Sequence, residues 1–222
     1  MPPGRAARIG LWLLPAYGLL LGLSTLTHQP PVADFDAYAR YVTTDVFLVS
    51  HLAASIMGAA LAVLGVVAVT AYLVSGVAAG LAVAGLVLTT IANIYLSAAF
   101  GSAAFVQPGI GRAHLAGVDG MPALNADTAY GPALIATAAG ATLLLVTSAI
   151  VVGIAIARTH RRLRAVGVAY AVLLPLFAIS GFLLPIVQSA AGFAVAIATA
   201  VLAIQLPRTV ESAAPATRVD SH

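Results

Sequence analysis

Apolar and polar positions in this chain fall into long blocks instead of alternating residue by residue. The first apolar block, "IGLWLLPAYGLLLGLSTL", covers residues 9–26. A helix crossing a ~30 Å hydrocarbon core needs about 20 such residues, so this block predicts a first membrane span. Arg5 and Arg8 precede it, a pattern shared with secretory signal peptides. Signal cores are shorter, about 7–15 residues, and end at a small-x-small cleavage site. This block instead runs into "STLTHQPP". A retained span is expected, bent at Pro15 because proline lacks an amide donor.

A polar segment follows, "THQPPVADFDAYARYVT", residues 27–43. Pro30 and Pro31 stop any helix, and Asp34 can cap a new one. Asp36 and Arg40 lie four apart as an opposite-charge pair. Phe35, Tyr38 and Val42 share a face, which predicts a short interfacial helix.

Residues 44–106 are then almost continuously apolar. One helix of that length would measure about 90 Å, so the run must fold back. "VSGVAAG", 74–80, is the best break, giving spans near 44–73 and 77–105. A second polar segment, 106–132, is rich in Gly and Pro and reads as a loop. A fourth span, 131–156, ends at "ARTHRRLRAVG". Residues 166–206 again exceed one crossing and must turn near "SGFLLPIVQS", 180–189, giving spans 166–183 and 187–206. A re-entrant hairpin at that turn is the alternative. Residues 207–222 read as a flexible tail. No motif recurs between the two halves of the chain.

The expected fold is thus all-α: a single polytopic domain of six transmembrane helices, with both termini on one side. Arginine placement gives the orientation, since cytoplasmic loops carry the basic excess. Arg5, Arg8, Arg158, Arg161, Arg162, Arg164, Arg208 and Arg218 fall on the terminal side, against Arg40 and Arg112 on the other. The termini are therefore expected in the cytoplasm and the two polar segments outside, in a cell membrane. Trp12, Tyr72 and Tyr170 would form the inner aromatic belt, and Tyr38, Tyr41 and Tyr130 the outer one.

Composition sharpens this picture. The chain is 61% hydrophobic and 8% charged, where a soluble domain carries about a quarter charged residues. It has no cysteine, which excludes disulfides and thiolate chemistry. All ten basic residues are arginine, read as GC-rich, bacterial coding bias. The high pI does not signal nucleic-acid binding, because the arginines have no soluble face to cluster on.

Polar residues within the spans are the candidate chemistry. Thr44, Leu48, His51, Ser55, Gly58, Ala62 and Gly65 share one face of the second span at helical spacing. Thr90, Asn93, Ser97 and Gly101 form a similar stripe on the third, whose lower end carries Gly76 and Gly80. His51, Ser97 and Asn93 lie about 10, 12 and 18 Å below the outer ends of their helices. Thr137, Ser180 and Gln188 map to the same half. This one-sidedness predicts an outward-facing polar pocket for a small or lipid-like ligand, with His51, Ser55, Asn93, Ser97 and Gln188 as its residues. The competing reading is that these groups hydrogen-bond helix to helix, as lipid offers no partner.

Other chemistries fit less well. His28, His51 and His114 are the candidate metal ligands, but they come one per segment, without the clustering that zinc needs. His28 and His114 read as solvated loop residues. A single intramembrane histidine does not support bis-histidine haem, and no cofactor is expected. Asp45 and His51 point to different faces of one helix and cannot pair; Asp45 instead suits the start of a helix. "GIGRAHLAG" lacks the strand-turn-helix context of a phosphate loop. No Asp, Glu, Lys or Arg lies well inside a span, which disfavours an ion-coupled pump. A facilitative solute transporter and a metal-dependent membrane enzyme with an external His/Asp site stay open as alternatives. Membrane lipid is the expected partner. Oligomeric state is not legible.

Overall fold

Pro15 decides the shape of the first helix. Its nitrogen has no proton to give the Leu11 carbonyl four residues back. The chain accordingly divides into α1 (Arg5–Gly10) and α2 (Leu13–Ser24). At the joint, Trp12 N–H reaches Ile9 O at 3.1 Å and Leu14 N–H reaches Leu11 O at 3.4 Å, the shorter closures of a tightened turn. The computed structural model describes residues 4–181 and 184–213, and every regular element among them is helical.

Local chemistry sets the next elements. Asp34 caps α3 (Phe35–Val42), its carboxylate accepting from Ala37 N–H at 3.1 Å. Thr44 caps α4 (Asp45–Val49) through Phe47 N–H at 3.2 Å. The helix then widens into a π-helical segment, Ser50–Met57, before returning to α geometry as α5 (Gly58–Leu73). A turn leads to α6 (Ala79–Phe105).

The Gly- and Pro-rich stretch expected as a loop is instead largely helical. It holds α7 (Gln107–Leu115) and α8 (Met121–Asp127). Pro108 and Pro122 sit in first turns, where a missing N–H costs nothing. Gly117, at φ 82°, ends α7 in the left-handed region. Its N–H bonds His114 O and Val118 N–H bonds Ala113 O, which closes the orphan carbonyls.

α9 (Pro132–Thr159), a short 3₁₀ turn (Arg161–Leu163), α10 (Arg164–Ser180) and α11 (Pro185–Ala213) complete the chain. α11 continues through Pro207, past the expected end at 206. Residues 182 and 183, inside the expected turn at 180–189, and 214–222, with Arg218, lie outside the described residues.

Among the described residues, six helices are long and apolar enough to cross a membrane: Arg5–Ser24, Asp45–Leu73, Ala79–Leu115, Pro132–Thr159, Arg161–Ser180 and Ile186–Val210. They form a closed ring in chain order. α2 packs on α5 and its π extension, α5 on α6, α6 on α9, α9 on α10, α10 on α11, and α11 back on α2. Neighbours run antiparallel. Gly10 at the end of α1 faces Ala68; on α2, Leu14 faces Gly65 and Tyr17 faces Gly58, while Gly18 faces Ala196 and Gly22 faces Gly192. α9 and α10 also approach closely, since a Cβ on Gly153 would lie 2.5 Å from Gly167 O.

One half of the ring is filled by Leu14, Val66, Val152, Ile156, Leu174, Val195 and Leu202, all nearly inaccessible. The outside of the ring presents large apolar side chains, including Leu19, Leu64, Ile94, Leu143, Val172 and Ile197. Arg5, Arg8, Arg158, Arg161, Arg162, Arg164 and Arg208 are exposed on the end that carries the 3₁₀ turn.

The opposite end carries a small cap built from α3, α7 and α8, with its own core of Phe35, Tyr38, Val42, Phe47, Ile110 and Ala129. Gly111 lets α7 approach α3, since a Cβ there would meet Val42 Cγ2 at 2.9 Å and Ala39 O at 3.1 Å. Tyr38 OH donates to Asn125 Oδ1 of α8 at 3.3 Å. Burial pushes the Tyr38 phenol well above its ordinary pKa, so it stays a protonated donor.

Candidate functional site

At the cap end the ring is not filled. Between the six helices lies a cavity of about 550 Å³. Every long helix contributes to its wall: Tyr17 from α2, Ser55 from the π segment, Asn93 from α6, Thr142 from α9, Phe177 from α10 and Gln188 from α11. Its surface is mostly apolar, and no charged residue lines it among the described residues.

The polar groups in that wall are of two kinds. Some are spent locally. Thr142 Oγ1 donates to Ala138 O at 2.8 Å, and the Thr25 hydroxyl meets that of Ser189, outside the wall on α11, at 2.9 Å. Others keep capacity for a ligand. Asn93 is 3% exposed, and its Nδ2 donates to Thr89 O at 2.8 Å in its own helix. That bond orients the amide, because only the NH₂ end can serve a carbonyl. Oδ1 is then left as an acceptor without a protein partner among the described residues. Ser55 Oγ and the Gln188 side-chain amide likewise have no protein hydrogen-bond partner among them.

The residues singled out from the sequence separate here. Ser55, Asn93 and Gln188 border the cavity; His51 and Ser97 are not among its lining residues. The π segment supplies the physical reason. A face read at 3.6 residues per turn drifts once the helix bonds i→i+5, so Ala54, Ser55 and Ala59 reach the wall while His51 turns aside. His51 Nδ1 lies 2.8 Å from Phe47 O, its ring is 4.1 Å from the Phe47 ring, and it meets Phe100 edge-on at 6.4 Å. Since a carbonyl only accepts, Nδ1 carries the proton and Nε2 is the acceptor nitrogen of the neutral ring. Phe100 lines the cavity, so His51 stands behind the wall.

Thr137 bonds its own Ala133 O at 2.8 Å, and Ser180 bonds Phe177 O at 3.4 Å. The aromatic wall residues Tyr17, Phe100 and Phe177 carry no sequence signal that separates them from core side chains.

The segment between α2 and the cap reaches this space. Gln29 borders the cavity and its Nε2 donates to Tyr130 OH at 2.7 Å; Thr27 Oγ1 lies 3.1 Å from Tyr41 OH. The cap itself is pinned by a hydrogen bond that corrects the expectation for His114. That residue sits on α7, with 22% of its side chain exposed, and its Nε2 lies 2.6 Å from Asp36 Oδ1. The His114 hydrogen bond holds the Asp36 carboxyl below its usual range, with Arg40 acting only as a weaker charge. The two charges expected to pair within α3 therefore do not form the main contact. His28 is exposed on the segment after α2. Among the described residues, no three of His, Cys, Asp or Glu converge as a metal site. Comparison of the chain with family models, curated proteins and solved structures finds no match.

Proposed function

We propose that this chain is a multi-pass protein of the cell membrane, arginine-rich end in the cytoplasm and cap outside, that holds a small uncharged or lipid-like ligand in its central cavity. The apolar belt supports the membrane reading, because a water-facing surface does not carry that many contiguous large aliphatic side chains. The positive-inside bias supports the orientation.

The observation that carries the ligand reading is the hydrogen-bonding capacity left over among the described residues at Ser55 Oγ, Asn93 Oδ1 and the Gln188 amide, in a mostly apolar cavity. A mostly apolar concave space with a few convergent polar groups is the usual form of a small-molecule site. The uncharged wall favours a neutral ligand, since an ion there would lack a counter-charge. Binding is favoured over passage because the other half of the ring is packed shut by Leu14, Val66, Val152 and Leu174.

Native mass spectrometry of the purified protein tests this reading. The wild type should retain a neutral adduct released on unfolding. Asn93→Leu removes the acceptor and should weaken retention by about tenfold or more, the worth of one enclosed hydrogen bond, with the helical content unchanged. A wild type that carries no adduct, and whose melting temperature no added neutral compound moves, would sink the proposal.

A further inference from the structure

A second apolar depression, about 430 Å³, lies on the outer face of the ring between α2 and the start of the second long helix. Leu20 and Leu23 form one side; Val46, Val49 and Ala53 form the other. Leu23, Val46 and Val49 are each about half exposed, at 48%, 54% and 60%. Two residues, Ser24 and Ala54, line both this groove and the central cavity. Ser24 of α2 and Ala54 of the π segment thus stand at the partition between the two spaces.

The hydroxyls along this route are already spent. Ser24 Oγ donates to Leu21 O and Ser50 Oγ to Phe47 O, each at 2.9 Å. The groove therefore presents hydrocarbon, while the polar groups that still seek partners lie beyond the partition, at Ser55, Asn93 and Gln188. Apolar outside and hydrogen-bonding inside is the profile of an amphiphile. The one charge at the groove is Asp45, and no cation lines either space among the described residues. An anionic head is disfavoured on both counts. Asn93 Oδ1 can only accept, so the head must donate.

We propose that the cavity's ligand is a neutral, single-chain membrane lipid with a hydroxyl-bearing head, and that it passes sideways from the bilayer between Ser24 and Ala54. Its head bonds Asn93, Ser55 and Gln188, and its chain lies along Leu20, Leu23, Val46 and Val49. This rests on the central cavity being a ligand site, and it adds the lipid class and the route.

Photolabelling in proteoliposomes with a diazirine-bearing monoacylglycerol tests it, with the matching fatty acid as the anionic comparison. Peptide mapping should place monoacylglycerol adducts in both the groove and the cavity, and fatty-acid adducts in neither cavity nor groove above background. Ala54→Leu thickens the partition and should abolish cavity adducts while groove adducts remain. Ser24→Val, on the opposite wall, should do the same, which covers the case of an Ala54 variant that fails to fold.

Cavity adducts that persist in both partition variants but vanish in Asn93→Leu would overturn the lateral route and leave the ligand site standing. Adducts confined to the groove, or equal labelling by the fatty acid, would overturn the lipid class. Cavity labelling indifferent to Asn93→Leu as well would remove the site itself.

Discussion

Asp36 and His114 meet at 2.6 Å on the surface of the cap, the carboxylate facing water and the imidazole backed edge-on by Phe35. Because the pair lowers the Asp36 pKa from its ordinary 3.8, its contribution to cap docking is fully present above that value. It fades as pH falls through the lowered folded-state value, where the carboxylate is protonated in the native state too. Hydrogen exchange across α3 and α7 should therefore be slow and flat from neutral pH to about pH 5 after correction for intrinsic rates. It should accelerate below the ordinary carboxylate range. Asp36→Asn should show the faster, pH-independent exchange throughout, and a variant as protected as wild type would refute the pin. The Asp34 cap was legible because capping is local chemistry. The Asp36–His114 bond was not, since nothing in the sequence brings residues 78 positions apart into contact.

Two features of the long helices escaped the hydropathy pattern, each for a physical reason. The π segment does not alter composition, so a wheel drawn at α-helical spacing assigned His51 to a face that it leaves. Helix crossings were equally opaque. Gly76 and Gly80 have the spacing of a packing motif, yet a Cβ on Gly80 meets nothing within 4 Å and one on Gly76 meets only Leu73 O at 3.6 Å. The close crossing is instead made by Gly153 and Gly167, where each Cβ would come within 2.5 Å of the other's carbonyl oxygen. A backbone oxygen cannot rotate away, so α9 and α10 must separate to admit a side chain. Gly167→Val should cost about 1–3 kcal/mol and lower the detergent melting temperature clearly. Gly140→Ala, which faces open space within the same helix pair, should be neutral or slightly stabilising by helix propensity. Equal effects at the two positions would show that the crossing tolerates a side chain and is looser than its geometry.

At the scale of the whole molecule, the six apolar blocks were legible because each exceeds what a soluble helix needs, and the chain folds back where charge or Gly and Pro interrupt them. Their closure into a ring, which creates the cavity, depends on contacts between first and last helices that no local pattern encodes. Two ends of the ring differ in charge. Seven described arginines gather at the end with the 3₁₀ turn, whereas the cap carries Arg40 and Arg112 beside Asp34, Asp36, Asp119 and Asp127. If the basic end stays in the cytoplasm, the cap and its cavity face outward. The chain has no cysteine, so one introduced thiol reports one position. Asp119→Cys, in the exposed turn between α7 and α8, should react with a membrane-impermeant maleimide on intact cells. Arg161→Cys, on the 3₁₀ turn, should react only after permeabilisation. The reverse pattern would put the cavity on the cytoplasmic face, so any ligand arriving by that end would come from inside the cell. Labelling of both positions without permeabilisation would mean that an even number of crossings separates residues 119 and 161, which the single long helix α9 does not permit unless it lies along the surface.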